Sequence, residues 1–113
     1  MKIEKCTNEK KEIYFKIRGL EYFEDIDIVE IVMDIVEKTL KYEIIFIDDF
    51  CDYENNFRKR EYKVNNINML FIYREETGLL VFPIKKEAKE VEFIENFLNQ
   101  LIPFIKETMK VFP

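Results

Sequence analysis

The sequence predicts one α+β domain over residues 1–113, an antiparallel sheet of four to six strands with two long helices packed on it. Three observations predict it. Two stretches, about 27–41 and 87–110, repeat their apolar residues at the helical period. Several shorter stretches alternate at period two or are continuously apolar over strand length. Their arrangement reads β-β-α-β-β-β-β-α, with no repeat, linker or low-complexity segment between them.

The opening MKIEKC has the form of an edge strand, with Met1, Ile3 and Lys5 on one face. Thr7 to Lys10 provide a turn, and in Glu12 to Arg18 the residues Ile13, Phe15 and Ile17 alternate with Tyr14, Lys16 and Arg18, as in a half-buried strand. Gly19 ends that strand, and Leu20, Tyr22 and Phe23 lead into the first helix.

In Asp27 to Lys41, the acids Asp27, Glu30, Asp34 and Glu37 fall on one stripe, at spacings of 3, 4 and 3. Ile28, Val29, Ile31, Val32, Met33, Ile35, Val36 and Leu40 occupy roughly 200° of the remaining wheel. So wide an apolar arc predicts a helix embedded in the core, with only the acidic ridge reaching water. Asp27 and Glu30 have the spacing of a capping box.

YEIIFIDDF, residues 42–50, is a continuous apolar run followed by acids and predicts a buried, interior strand. A polar loop at 52–56 precedes FRKREYKV, residues 57–64, whose charges suggest an edge strand or an internal partner for nearby acids. Asn65 and Asn66 make a turn into the alternating run of Met69, Phe71 and Tyr73. Gly78, free to take a positive φ, closes a hairpin into Leu79 to Ile84, and Pro83 places that strand at an edge or at its end. In the last helix Val91, Ile94, Leu98, Leu101, Ile105 and Met109 form the apolar stripe, and Pro103 is expected to kink or divide it near Ile102. The stripe also suits a helix-to-helix contact in a homodimer.

Composition excludes several chemistries. The chain has no His, no Ser and no Trp, which removes Ser–His triads, histidine metal sites and histidine acid–base catalysis. Two isolated glycines cannot build a phosphate-cradling loop. No apolar run approaches the roughly 20 residues of a membrane span, and MKIEKCTNEKKE lacks the apolar region of a signal peptide. Cys6 and Cys51 are too few for a disulfide framework, which predicts a cytoplasmic protein with reduced thiols, although one bridge between them stays open. No cofactor, metal or catalytic residue is predicted.

The net charge of −5 conceals a partition: residues 19–56 carry −10, flanked by +3 over 1–18 and +4 over 57–74. The ridge from Asp27 to Glu37 spans about 15 Å, and its carboxylates approach the charge density of a nucleic-acid strand, about one per 3.4 Å. Asp34–Lys38 and Glu37–Lys41 are the only i,i+4 pairs of opposite sign along it. The bland reading is the wet face of an amphipathic helix. Asp48, Asp49, Asp52 and Glu54 offer hard oxygen ligands but lack the spacing and glycine of an EF-hand loop. The basic–aromatic run 57–63 is too short to make an acidic chain a nucleic-acid binder.

The function expected from these features is a small acidic, non-catalytic protein-binding module. Its concrete form is an inhibitor or immunity-type protein facing the basic surface of a nuclease or other nucleic-acid-handling enzyme. Asp27, Glu30, Asp34, Glu37, Asp48, Asp49 and Asp52 are the expected contact residues. The alternatives are a small-ligand or regulatory domain with an aromatic pocket, or a structural subunit of a larger complex.

Overall fold

A computed structural model describes residues 1–19, 26–74 and 76–111, with the backbone alone for Ile26, Asp27, Met109 and Val111. Its elements are β1 (Lys2–Thr7), β2 (Ile13–Arg18), α1 (Ile26–Leu40), β3 (Ile44–Asp52), β4 (Phe57–Val64), β5 (Ile67–Arg74), β6 (Gly78–Pro83) and α2 (Ala88–Val111). The strands form one six-stranded antiparallel sheet in the order β1-β2-β6-β5-β4-β3. This is the α+β architecture, and the element order, that the patterning predicts.

Local chemistry explains the turns. Gly19 closes β2 at φ 104°, where a Cβ would lie 3.1 Å from the Met1 backbone. Asn65 and Asn66 both take positive φ between the paired Val64 and Ile67, the two-residue hairpin turn that matches strand twist. Gly78 has φ 74° at the start of β6.

Both helices cover one face. Alternation places Phe15 and Ile17 of β2, Leu79 and Val81 of β6, Met69, Phe71 and Tyr73 of β5, and Tyr62 and Val64 of β4 beneath them, all buried. Val29, Val32 and Val36 from α1 and Ile94, Leu98, Leu101 and Ile105 from α2 close the core. The opposite face carries no described helix. Its half-buried Tyr14, Leu70, Ile72, Leu80 and Phe82 form an apolar strip, with Tyr14 and Phe82 stacked at 4.9 Å.

Two expectations are corrected and two are narrowed to one of their alternatives. The run 42–50 is not an interior strand: β3 is an edge, and Ile45, Phe46, Ile47 and Phe50 are 43–55% exposed. Asp48, Asp49 and Asp52 lie within the strand, and burying it on two sides would strip those carboxylates of water. Consequently β4 is not an edge, and its basic residues meet β3 instead of solvent alone. The acidic ridge is not the only wet part of α1, because Ile31, Ile35 and Leu40 are 36–41% exposed. A helix lying on one face of a sheet keeps an outward side whatever its composition. Finally, Pro103 does not divide α2, which runs unbroken through it. Pro103 faces solvent while Leu101 and Ile105 are buried on either side, so both halves are anchored and the released carbonyl is left to water.

Three further points bear on assembly and location. The described side chains of the α2 stripe, Val91, Ile94, Leu98, Leu101 and Ile105, pack into the chain's own core. Cys6 and Cys51 sit on opposite edge strands, so no bridge joins them; five strand spacings separate them by about 24 Å. Among the described residues, no helix is long and apolar enough to cross a membrane.

The α1 phase is testable at adjacent residues. Val36→Asp places a carboxylate at a fully buried site and should prevent cooperative folding. Ile35→Asp, at a site 36% exposed, should change stability by less than about 1 kcal/mol. Chemical denaturation followed by circular dichroism separates the two.

Candidate functional site

The acids of α1 and β3 meet at one margin of the molecule, and Arg60 is the reason. Alternation in β4 aims Arg60 toward the helix layer, in line with Tyr62 and Val64. There it is 6% exposed. Its Nη1 donates to Glu30 Oε2 at 3.0 Å and its Nη2 to Asp49 Oδ2 at 3.1 Å. Nη1 also lies 3.4 Å from the Tyr62 hydroxyl, and the guanidinium covers the Phe46 ring at 5.5 Å. One side chain on β4 thus links α1 to the edge strand.

Burial works against the Arg60 cation, but hydrogen bonds to Asp49, Tyr62 and Glu30 outweigh it and hold its pKa above the usual value. Burial pushes the Tyr62 hydroxyl up, Arg60 opposes that shift, and the fields of Glu30 and Asp34 add to it.

The seven predicted contact residues therefore separate. Asp27 has its side chain outside the described residues, and the expected capping box with it. Glu30 and Asp49 are engaged by Arg60, and Arg58 also approaches Asp49 at 3.8 Å. Asp52 accepts from the Glu54 amide at 3.2 Å and from Asn55 Nδ2 at 2.8 Å, which folds the β3–β4 loop. Asp48 takes up the Asp49 amide at 2.9 Å and projects from the helix-free face opposite Glu61. Asp34 and Glu37 are exposed and make no hydrogen bond or ion pair with the described residues; Lys38 and Lys41 do not pair with them. The basic run 57–63 thus cancels part of the acidic segment, leaving Asp34, Glu37 and Asp48 uncovered.

Among the described residues no group of three or more carboxylates or thiols converges as a metal site. Successive strand residues point to opposite faces, so Asp48 and Asp49 do not converge, and a β-bulge between Phe46 and Asp48 shifts the register just before them. The described depressions lie at the sheet's rim and on its open face. One, of about 450 Å³, is lined by Phe50, Asp52, Asn55, Phe57, Arg74 and Glu76.

Sequence reasoning offered the run 57–64 as an internal partner for nearby acids without singling out Arg60 or its carboxylates, and it missed the exposed apolar residues of β3. The bridge had a signal in the basic β4 run beside the acidic one. The exposure had a weaker one, because three aspartates inside an apolar strand suit an edge.

Arg60→Ala should cost about 3 kcal/mol, since the carboxylates lose a charged partner while keeping some access to water. Arg60→Met, which keeps the packed stem, should cost less in urea denaturation. The raised pKa of Tyr62 means the folded state holds that proton more tightly than the unfolded chain. Its contribution is complete below the ordinary tyrosine pKa and falls as pH rises above about 10. Tyr62→Phe should flatten the alkaline loss of stability, measured by melting temperature against pH. Comparison of the chain with family models, curated proteins and solved structures yields no match.

Proposed function

We propose that this chain is a small, non-catalytic, cytoplasmic protein-binding module that engages a basic protein partner. In its concrete form it is an inhibitor or immunity-type protein that covers the phosphate-binding surface of a nuclease or another nucleic-acid-handling enzyme. The observation that supports this reading is the juxtaposition at the α1–β3 margin. Uncovered Asp34 and Glu37 lie on α1, which Arg60 ties to β3, and uncovered Asp48 lies on β3 itself, whose Ile45, Phe46, Ile47 and Phe50 are exposed. The exposed apolar residues have Lys59 and Lys63 of β4 on their inner side and the uncovered acids beyond them, an arrangement that suits a partner bringing cations to the outer side. The carboxylates would speed encounter and select the partner, while the apolar residues would supply affinity.

The contact set is thereby revised. Glu30 and Asp49 support the margin through Arg60 and Asp52 shapes the loop, so Asp34, Glu37 and Asp48 carry the electrostatic recognition. A structural subunit of a larger complex is the second reading, favoured by the same exposed apolar residues and distinguished by permanence. A ligand domain with an aromatic pocket draws no support from Phe15, Phe71 and Phe97, which are packed to 0–1% exposure.

Reversing Asp34, Glu37 and Asp48 together to lysine tests the reading, because all are exposed and the fold should tolerate the change. Affinity for a basic partner isolated from the source cells should fall at least about tenfold, mainly through slower association. Unchanged affinity of the reversed chain for every partner isolated with the parent would refute it.

A further inference from the structure

We propose that the outer edge of β3 takes up an extended, basic segment of the partner protein as a seventh strand. This rests on the reading of the chain as a binder of basic proteins and specifies how the partner is held.

Among the described residues the sheet ends at β3, and one side of this nine-residue strand presents backbone N–H and C=O groups with no described strand beside them. Edge strands ordinarily discourage such pairing, and β1 at the far edge does so. It is six residues long, and its Lys2 and Lys5 are exposed. β3 is longer, contains no lysine and no proline, and exposes Ile45, Phe46, Ile47 and Phe50. The bulge at Ile47 interrupts pairing there but leaves the regular run Asp48–Asp52 beyond it, in which the Asp49 amide is held by the Asp48 carboxylate and would have to be released to pair. Strand addition uses such groups: the backbone supplies affinity, and side chains on alternate positions supply selectivity.

Charge decides the occupant. β3 carries Asp48, Asp49 and Asp52 with no basic residue, so a second β3 would bring two sets of carboxylates together. A basic strand meets the opposite situation, and the molecule already contains an example. On its inner side β3 pairs with β4, FRKREYKV, which has four basic residues against one acid. There Lys59 lies 5.9 Å from the Phe50 ring and Arg60 lies 5.5 Å from the Phe46 ring. Both phenylalanines remain about half exposed, at 51% and 55%, and can receive a second set of cationic and apolar side chains. Asp48 on the open face, with Asp34 and Glu37 on the helix side, extends the acidic field along that margin. The partner segment accordingly alternates apolar residues with lysine or arginine.

The probe is a synthetic peptide copying residues 57–64, titrated into the isotope-labelled full chain by NMR. A control peptide replaces its four basic residues with glutamate. Expected are saturable binding, amide shifts along residues 44–52 with slowed exchange there, and at least about tenfold weaker binding in ~0.5 M salt. The glutamate peptide should not bind. A chain carrying Ile45→Lys and Phe50→Lys should lose at least about tenfold in affinity while keeping its native circular-dichroism spectrum. Absence of saturable binding, equal binding of the glutamate peptide, or an unaffected lysine variant overturns strand addition. Shifts confined to α1 around Asp34 and Glu37 would also overturn it while leaving an acidic binding surface intact. Concentration-dependent assembly of the chain alone through residues 44–52, seen by sedimentation, would overturn the assigned occupant in favour of a second copy.

Discussion

A buried guanidinium holding two carboxylates from different elements is the contact around which the functional margin is organised. Arg60 sits on β4, yet its hydrogen bonds run to α1 through Glu30 and to β3 through Asp49. Without this link the edge strand would be held by its ladder to β4 and by the packing of Ile44, Phe46 and Phe50. The ionic bridge fixes α1 over that end of the sheet, and it stacks a cation on Phe46. A buried arginine is tolerable because its charge is balanced on two sides, with Tyr62 adding a third polar contact.

The same bridge changes what the acidic segment can do. Of the seven expected contact carboxylates, the six with described side chains divide into two that hold Arg60, one that shapes a loop, and three that face water. The uncovered part of that set is therefore smaller than the charge of residues 19–56 implies. It is also better placed, because the remaining acids border an edge strand with exposed apolar side chains. Charge and apolar surface at one margin select partners together, since each disfavours what the other would admit.

Chain order helps explain why that margin is left open. The connection from β2 passes through α1 and delivers the chain to the far end of the sheet. β3, β4, β5 and β6 then return as a meander until β6 pairs with β2. The strand that begins such a meander acquires a neighbour on one side only. Aspartates within β3 agree with that position, because an interior place would have cost their hydration.

Much of the architecture was legible in the residues themselves. The period of 3.6 in α1 and α2, the alternation in β2 and β5, and the turn residues Asn65, Asn66 and Gly78 are local properties. Local backbone preference and one-sided burial suffice to read them. The position of β3 at an edge, the passage of α2 through Pro103, and the exposure of Ile31 and Ile35 were decided by tertiary structure. Each depends on what lies beside the element, and periodicity does not record a neighbour. Of the site, the sequence by itself determined which segments bring the opposite charges. Only the fold decided which of them meet, because the Glu30–Arg60–Asp49 contact joins residues 30 and 11 positions apart along the chain.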